Sequence, residues 1–349
     1  MPRNIYELRL DELEDWVRDH GEAAYRARQL YGWVHKHLAT GYDEVTVLPK
    51  RLRETLDAEL PFAALTPIQE LWTDDGETLK VLYQTADGQT LETVLMFYPD
   101  RATVCVSCQV GCAVGCSFCA TGLMGLQRNL SAGEMVAQVV DMARRAREKG
   151  RPLTNLVMMG MGEPLANFEN LVTALDLMLD DDAYGLSRRR VTVSTSGLVP
   201  ALDRLRERCP VALAVSLHAP NDALRDVLVP INKKYPIRDL LAACERYLSA
   251  APRDFITFEY VMLNGVNDSV ALARELVQLV RNIPCKLNLI PFNAFTGSGY
   301  ERSTVETISD FQDVLMQAGI ITTIRKTRGD DIAAACGQLA GQVKDKTRR

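Results

Sequence analysis

The chain has 349 residues, 47% hydrophobic and 24% charged, with a formal net charge of −5 at pH 7. These values are typical of an ordinary globular protein with one large domain and a smaller one. The negative charge argues against indiscriminate coating of nucleic acid, but does not exclude a local basic face that binds RNA. No apolar run reaches the roughly 18 residues of a membrane-spanning helix, and the first residues lack a signal-peptide stretch. We therefore expect a cytoplasmic protein with no membrane partner, in a reducing compartment where clustered cysteines favour metal binding or catalysis.

The first predicted unit is a small helical module over residues 1–62. Leu10, Leu13 and Val17 recur at helical spacing, as do Leu30 and Val34 further on. Basic side chains give this module a side that either contacts RNA phosphates or is simply solvated. They are Arg26, Arg28, Lys36, Lys50, Arg51 and Arg53.

Residues 63–98 are predicted to form a small β-meander. The apolar period changes to two here, and the sequences Asp74-Asp75-Gly76 and Asp87-Gly88 are hairpin turn signals. Glu92 lies in the last alternating run, where it is either a surface strand residue or a general base.

A glycine-rich stretch over residues 105–125 contains five of the nine cysteines. Cys112, Cys116 and Cys119 form the pattern C-x3-C-x2-C, which can hold three irons of a [4Fe–4S] cluster and leave the fourth open. Cys105 with Cys108, and Cys116 with Cys119, also form two C-x2-C pairs that suggest structural zinc. Only seven residues separate these pairs, whereas zinc ribbons place about 15–20 there, and zinc leaves Cys112 unexplained. A packing role does not suit five cysteines among glycines and polar residues.

Beyond this stretch, strand-like and helix-like segments alternate, which predicts right-handed βα units and a parallel sheet. Counting residues 103–107, about six units precede a short final strand, too few for the eight of a closed barrel. We therefore predict an α/β fold with a partial (βα)6 barrel over residues 99–340, open along one side, and a basic tail over residues 341–349. Ligands of such a barrel bind at the carboxyl ends of its strands. The later predicted strands span residues 155–160, 190–195, 211–216, 255–263, 286–290 and 322–326, and the predicted helices span residues 131–149, 168–179, 200–208, 237–248, 269–280 and 305–318.

Candidate ligand-binding residues follow several of these strands. Gly162 lets a ligand approach the backbone after the second barrel strand, and the neighbouring Glu163 can pair with an α-amino group. Further strands end in polar residues, each of which alone is ordinary turn chemistry. Their recurrence at one level of the barrel predicts a shared ligand. They are Ser194, Ser216, His218 and Asn293.

The remaining cysteines lie outside the glycine-rich stretch. Cys336 occurs in the small-residue sequence Ala335-Cys336-Gly337-Gln338-Leu339, where it is either an inert buried thiol or a reactive one. Cys209, Cys244 and Cys285 fall in apolar helix or strand patterns and are predicted to be packing residues.

Together these motifs resemble the radical S-adenosylmethionine superfamily, and more closely its RlmN and Cfr branch of ribosomal RNA adenosine methyltransferases. The resemblance rests on Cys112-x3-Cys116-x-Phe118-Cys119, on the sequence Met-Gly-Met-Gly-Glu-Pro that ends at Pro164, and on the tail around Cys336. It implies a [4Fe–4S] cluster on the three cysteines and two S-adenosylmethionine molecules per turnover. It also implies a set of positions that bind S-adenosylmethionine: Gly162, Glu163, Ser194, Ser216, Leu217, His218 and Asn293.

The resemblance further implies a thiol relay. An electron-poor adenine ring carbon cannot attack a sulfonium methyl group, whereas the Cys336 thiolate can accept one. A 5′-deoxyadenosyl radical would take hydrogen from this methyl group, and the resulting carbon radical would add to adenine. Glu92 would accept the ring proton, and Cys105 would attack the sulfur of Cys336 to release methylated RNA. The resulting disulfide requires a thiol reductant, and the radical step requires an electron donor.

Within this branch, Glu163-Pro164 and Arg328-Gly329-Asp330-Asp331-Ile332 resemble RlmN, which methylates adenosine at C2, rather than Cfr, which acts at C8. The implied RNA partner is 23S rRNA at the peptidyl-transferase centre, and the sequence leaves open whether tRNA is a second substrate. An alternative of another class is a non-enzymatic, zinc-dependent RNA-binding protein. Cys108 stands where these proteins commonly carry serine, and its role stays open.

Overall fold

The structure is a computed structural model that describes residues 3–63, 65–326, 328–329 and 331–341. The basic tail predicted from residue 341 onward therefore lies outside the described residues except for Gly341. Asp330 of the RlmN-like sequence also lies outside them. No helix in the described ranges is both long and apolar enough to cross a membrane.

The described elements alternate as predicted beyond the amino-terminal module. The helices are α1 Leu10–Asp19, α2 Tyr25–His35, α3 Lys50–Glu59, α4 Ala120–Leu123, α5 Ala132–Glu148, α6 Phe168–Leu179, α7 Val199–Arg208, α8 Asp222–Leu228, α9 Ile237–Leu248, α10 Val270–Val280 and α11 Val305–Gln317. The strands are β1 Leu65–Trp72, β2 Thr78–Thr85, β3 Thr90–Tyr98, β4 Arg101–Cys105, β5 Gln109–Val110, β6 Arg128–Asn129, β7 Leu153–Met158, β8 Val191–Thr195, β9 Ala212–Ser216, β10 Ile256–Met262, β11 Cys285–Pro291 and β12 Ile321–Ile324.

One sheet contains ten strands in the order β1-β2-β3-β4-β7-β8-β9-β10-β11-β12. In this sheet, the neighbouring strands from β1 to β4 pair antiparallel. The neighbouring strands β4, β7, β8, β9, β10, β11 and β12 pair in parallel. Strands β3 and β4 pair along their length, from Val94 opposite Cys105 to Tyr98 opposite Arg101. The predicted meander is therefore continuous with the barrel sheet. Within the described part of the chain, β12 pairs with β11 alone, so the sheet does not close. This topology confirms the open α/β barrel.

Helix α5 shows how local sequence fixes an element of the barrel. The Ser131 hydroxyl accepts from the Glu134 amide at 3.2 Å, and Glu134 Oε2 accepts from the Ser131 amide at 2.9 Å. This is the predicted capping box, and it satisfies two backbone donors that the first turn would otherwise leave free. Most of the helix is buried against the sheet and the amino-terminal module.

Helices α4 and α8 and strands β5 and β6 were not predicted from the sequence. Helix α8 has only seven residues, and it buries the guanidinium of Arg225 rather than an apolar stripe. Its amino end is capped by Asn221, whose side chain accepts from the Leu224 amide at 3.0 Å. The two-residue strands β5 and β6 pair across the glycine-rich stretch, and they are too short to give a detectable period.

The amino-terminal module packs on the barrel through long-range hydrogen bonds. Tyr31 donates its hydroxyl to Asp180 at 2.7 Å, and Arg144 donates to the Leu38 carbonyl at 2.9 Å. Three of the six predicted basic residues form ion pairs inside the module. These pairs are Arg26 with Glu22 at 3.2 Å, Arg28 with Glu14 at 3.3 Å and Lys50 with Glu54 at 3.8 Å. Part of the basic side is therefore neutralised locally.

His35 makes this module sensitive to acid. Its ring is buried, Nδ1 lies 3.4 Å from the Tyr184 hydroxyl, and Nε2 has no hydrogen-bond partner. Burial lowers the pKa of His35 from 6.5 to about 3, so the folded protein binds this proton less readily than the unfolded chain. Stability from this residue is therefore complete above about pH 6.5 and falls as the pH drops towards the folded value.

We expect His35→Phe to reduce the loss of stability between pH 7 and pH 5 by about 2 kcal/mol, because the unfolded chain no longer gains a proton there. Urea denaturation at both pH values measures this difference. His218, which is also buried and has a pKa of about 3, remains in the variant, so a smaller acid loss persists. An unchanged difference between the two pH values would contradict the assignment to His35.

The segment that follows β12 lies across the open side of the barrel. We call residues 328–329 and 331–341 the closing segment. Arg328 donates to the Phe97 carbonyl at 3.0 Å, and the Ala333 carbonyl accepts from Lys80 at 3.0 Å. Further along, the Gly337 carbonyl accepts from the Ala120 amide at 2.8 Å. These contacts join the free edge at β12 to β2, β3 and α4, and they carry Cys336 into the barrel mouth.

Candidate active site

The cysteine loop, residues 111–125, folds tightly on its own backbone. The Cys112 amide donates to the Gly125 carbonyl at 3.2 Å, and the Cys119 amide donates to the Cys116 carbonyl at 3.2 Å. A Cβ atom on Gly111, where φ is +76°, would lie 1.8 Å from the Gly125 oxygen. Glycine is therefore required there by both the backbone conformation and the contact.

The thiols of Cys112, Cys116 and Cys119 line one cavity of about 160 Å³, the first cavity, at the carboxyl ends of the strands. Burial raises the pKa of all three thiols, that of Cys112 to about 12. Each thiol therefore keeps its proton at neutral pH unless a cationic centre takes the proton's place. Among the described residues, no three His, Cys, Asp or Glu side chains surround a single point suited to one metal ion.

Glu163 presents a fixed carboxylate to the same cavity. Oε1 accepts from the Leu165 amide at 3.1 Å, and Oε2 accepts from the Ser196 amide at 2.7 Å. Burial raises the pKa of Glu163, while these amides act in the opposite direction. Gly162 lines the cavity beside it, and its φ of +103° and contact with Gln109 exclude a larger residue. The pair can meet a cationic group without further rearrangement.

His218 is held as a neutral ring at the cavity wall. Its Nδ1 accepts from the Val261 amide at 3.0 Å, so the proton of the neutral ring lies on Nε2. Burial, followed by the charge of Arg225, lowers the pKa of His218 to about 3. The residue has a φ of +60°, which is unusual for a side chain other than glycine. The ring therefore offers a donor to the cavity over the physiological pH range.

The structure separates the other predicted strand-end residues. Ser194 and Ser216 line the first cavity with His218. Leu217 is fully buried and does not line it, and its carbonyl accepts from Arg225. Asn293 lines a second cavity instead, where its side chain donates to the Cys336 carbonyl at 3.2 Å.

The second cavity, of about 320 Å³, contains both cysteines of the predicted relay. Cys105 lies at the end of β4, and Cys336 is supplied by the closing segment. Cys336 also lines the first cavity, so its thiol lies between the two spaces. Burial raises the pKa of Cys105 to about 12, with a smaller contribution from Cys336. All nine cysteines are free thiols in this structure.

Glu92 lies behind these cavities and lines neither of them. Its Oε1 forms an ion pair with Lys80 at 2.9 Å, and both side chains are almost fully buried. Its Oε2 accepts from the amides of Ala340 at 2.8 Å and Gly341 at 3.2 Å. Both oxygens of the predicted proton acceptor are therefore occupied while the closing segment is in place.

Comparison with known proteins decides the family. Residues 106–276 match the radical SAM superfamily model, and residues 3–60 match the model of the ribosomal RNA large subunit methyltransferase N-terminal domain. A crystal structure of a radical SAM methyltransferase from Sphaerobacter thermophilus is 56% identical, covers 98% of this chain and 100% of its own, and superposes with a TM-score of 0.95. The chain belongs to the RlmN family of radical SAM methyltransferases.

Two other solved structures resemble the chain more distantly. Streptococcus suis SuiB bound to S-adenosylmethionine is 13% identical, with 67% of this chain and 49% of that chain covered and a TM-score of 0.46. A domain of pyruvate-formate lyase-activating enzyme from Bacteroides vulgatus is 17% identical, with 50% and 99% covered and a TM-score of 0.40.

Membership of the RlmN family implies a [4Fe–4S] cluster and S-adenosylmethionine, and the residues present fit both. A cube takes one thiolate per iron, so three cysteines that line one cavity suit it. A Cβ atom on Gly122 would lie 2.9 Å from the Cys116 carbonyl oxygen, so the loop has no room for a larger residue behind its thiols. In this fit, Cys112, Cys116 and Cys119 would hold the cluster, and Glu163 would meet the amino group of S-adenosylmethionine.

Arg225 organises the cofactor side of this RlmN-family site, although the sequence did not reveal it. The guanidinium is fully buried and donates to the carbonyls of Leu217 at 3.0 Å, Ser216 at 2.9 Å and Ser196 at 2.7 Å. It also donates to Asn232 Oδ1 at 2.8 Å. Burial lowers the pKa of Arg225 to about 10, so it remains charged at neutral pH. One side chain therefore ties together the ends of β8 and β9.

We expect Arg225→Met to lower the free energy of unfolding by several kcal/mol, because each buried acceptor left unpaired costs about 1–3 kcal/mol. Urea denaturation measures this loss. Arg246→Met is the matched control, because Arg246 is exposed on α9 and pairs with Asp203 at the surface. Equal stability of the two variants would contradict the proposed role of Arg225.

Cys108 faces neither cavity of this RlmN-family enzyme. It is buried, its thiol donates to the Met161 carbonyl at 3.5 Å, and burial raises its pKa. Its position therefore resembles that of a packing residue, between the relay cysteine Cys105 and the cysteine loop.

Proposed function

We propose that this enzyme methylates C2 of an adenosine in 23S rRNA at the peptidyl-transferase centre, and of tRNA next to the anticodon, in the cytoplasm. The methyl group passes through Cys336, and Cys105 resolves the covalent intermediate. One observation carries the proposal, which is that the Cys336 thiol lines both cavities. A methyl carrier needs access to a cofactor on one side and to an RNA base on the other.

The first step of the proposal is methyl transfer to Cys336. Arg325 lines both cavities with Cys336, and the charge of Cys336 is the main reason that the pKa of Arg325 is raised. A cation beside a cysteine favours the thiolate, which is the form that attacks a sulfonium methyl group. Asn293 holds the backbone of Cys336 through its carbonyl. These contacts support a carrier cysteine that is held in position beside a cation.

The second step joins the carrier to the base. When bound, the cluster and S-adenosylmethionine would supply the radical chemistry that removes a hydrogen atom from the methyl group on Cys336. The second cavity, about 320 Å³ in volume, gives this carbon a space in which to meet a nucleobase. Two cations beside Arg325, namely Lys326 and Arg328, line the same cavity and suit the phosphates of a flipped nucleotide.

The third step removes the ring proton, and the adduct radical also gives up one electron to a one-electron acceptor, so that a closed-shell thioether joins Cys336 to the base. Glu92 is the proposed acceptor, and it can take a proton only when an oxygen is free. Oε2 becomes free when the amides of Ala340 and Gly341 leave it. The proposal therefore includes a movement of the closing segment when RNA enters.

The last step releases the product. The Cys105 thiolate attacks Sγ of Cys336, a sulfur–sulfur bond forms, and the bond between Sγ and the methylene carbon breaks. The electron pair of the broken bond goes to that carbon, which takes a proton and becomes the methyl group on the base. Cys105 and Cys336 line the same cavity, which supports this pairing. An external thiol then reduces the disulfide in two electrons, and the radical step draws on a separate electron donor.

The test compares 23S rRNA and tRNA from cells with and without this gene by nucleoside mass spectrometry. We expect 2-methyladenosine to disappear from 23S rRNA and from tRNA when the gene is deleted. Loss of 8-methyladenosine instead would assign the C8 reaction of Cfr-like enzymes. A colourless protein that contains zinc, lacks iron and releases no 5′-deoxyadenosine would favour the zinc-dependent RNA-binding alternative and overturn the proposal.

A further inference from the structure

A polar layer crosses four neighbouring strands, and two of its residues, Ser216 and Glu259, line the first cavity. Glu259 and Asn288 also line a further cavity together with Arg325. Ser216 on β9 pairs in register with Glu259 on β10, and Glu259 pairs with Asn288 on β11. Asn288 in turn pairs with Thr323 on β12. Barrel interiors are usually filled by branched apolar side chains, so a polar layer at this level calls for a ligand or a role.

Hydrogen bonds along this layer leave one oxygen free. Thr323 donates to Asn288 Oδ1 at 2.6 Å, which fixes the amide so that its nitrogen donates to Glu259 Oε1 at 2.9 Å. Glu259 Oε2 is buried and has no hydrogen-bond partner. The nearest cation is Arg325, whose Nη1 lies 3.8 Å away, beyond hydrogen-bond distance. An unpaired carboxylate oxygen in a buried place is costly, and most such atoms have a partner when the protein works.

The position of Glu259 relative to the cysteines limits what that partner is. Glu163 follows β7, whereas Glu259 belongs to β10, three strands further along the sheet. Both residues line the first cavity. With the amino-acid end of S-adenosylmethionine at the cysteine loop and Glu163, as proposed, the nucleoside end would extend towards β10 and β11.

The residues around Glu259 offer different surfaces to the adenine base and to the ribose of S-adenosylmethionine. Val261 and Ile290 line the same cavity, and Val261 lies two residues beyond Glu259 on the same face of β10. Val261 and Ile290 offer an apolar surface for the flat adenine ring. Ser216 and Glu259 together offer polar groups one layer deeper, where hydroxyl groups are the matching donors.

We propose that Glu259 binds a ribose hydroxyl group of S-adenosylmethionine through Oε2, and that Asn288 and Thr323 hold it in place. A carboxylate that accepts from a ribose hydroxyl is a recurring solution in nucleotide sites. The proposal depends on S-adenosylmethionine as the cofactor of the family, and it does not depend on which RNA is methylated. It adds a contact on β10 to the predicted cofactor residues.

The test measures binding of S-adenosylhomocysteine, which carries the same ribose but cannot transfer a methyl group, to the cluster-containing enzyme by calorimetry. Glu259→Gln keeps the size of the side chain and removes its charge, and we expect it to weaken binding about 10-fold or more. The 2′-deoxy and 3′-deoxy forms identify the hydroxyl. The form that lacks the contacted hydroxyl should bind the wild type weakly and should bind Glu259→Gln equally weakly.

Two further variants keep the result interpretable. Thr323→Val leaves the carboxylate in place but frees the Asn288 amide, and a smaller loss of about 3-fold is expected. Glu148→Gln changes an exposed carboxylate at the end of α5 and should leave binding unchanged.

If Glu259→Gln weakens the binding of S-adenosylhomocysteine and of both deoxy forms by the same factor, the role of Glu259 is merely structural and the inference is overturned. Normal S-adenosylhomocysteine binding by Glu259→Gln, with weakened binding of an RNA fragment, would move the contact to the substrate and overturn it too. Absence of S-adenosylhomocysteine binding by the wild type would instead count against the proposed methyl transfer itself.

Discussion

Replacing Cys105 by alanine is expected to stop product release and to leave the RNA covalently bound through Cys336. Cys105 and Cys119 both line the second cavity with Cys336, and Cys119 is one of the three proposed cluster ligands. Loss of Cys105 therefore removes the proposed attacking sulfur and leaves the cluster ligands in place. Release of methylated RNA should fall by about 1000-fold or more, comparable to removal of a catalytic nucleophile. Denaturing gel electrophoresis with labelled RNA measures the adduct, and peptide mapping locates it on Cys336.

Cys108→Ser provides a matched control for this experiment. Cys108 is a buried thiol three residues further along the chain, but it faces neither cavity. We expect the serine variant to release methylated RNA at a rate close to that of the wild type, without a trapped adduct. An adduct in Cys108→Ser, or normal release by Cys105→Ala, would show that the resolving thiol is assigned to the wrong cysteine.

The second large effect concerns the cluster ligands. Cys116→Ser should abolish 5′-deoxyadenosine release and remove most of the bound iron, because an alcohol does not replace a buried thiolate at an iron. Loss of a residue that hydrogen-bonds to a metal ligand typically lowers metal affinity or activity about 10–100-fold. Loss of a direct ligand should lower iron binding by more than this. Iron analysis and the visible absorption of the reconstituted protein give the first readout, and cofactor cleavage gives the second.

Cys209→Ala separates this effect from general damage. Cys209 is fully buried at the end of α7 and lies outside both cavities. This control should lose some stability, because a buried group is removed, but it should retain iron and cofactor cleavage per folded molecule. Retention of iron and cleavage by Cys116→Ser would contradict the predicted ligand set.

The main architecture could be predicted because each element carries its own local signal. The capping box at Ser131 is confirmed by both of its hydrogen bonds, and α6 and α9 match their predicted limits, residues 168–179 and 237–248. The strands differ from their predicted limits by one or two residues. The buried parallel strands give continuous apolar runs, in which no period marks the first or last residue.

The site could be predicted only where its residues lie near recognisable turns. The cysteine loop and Glu163 belong to short motifs, so their proximity follows from the barrel topology. The chain of Thr323, Asn288 and Glu259 depends on the register of three strands, which no local pattern determines. The contacts of Glu92 with the closing segment join residues almost 250 positions apart, and the alternation around Glu92 contains no sign of them.

The place of Cys336 between the two cavities has a consequence for chemical inhibition. An electrophile shaped to enter the second cavity would reach Cys336, the proposed methyl carrier, without entering the part of the first cavity that Glu163 lines. Such a compound would not compete with S-adenosylmethionine, and a high cellular concentration of the cofactor would not protect the enzyme. Under the proposed mechanism, alkylation of Cys336 would leave the proposed cluster ligands intact while removing the methyl acceptor.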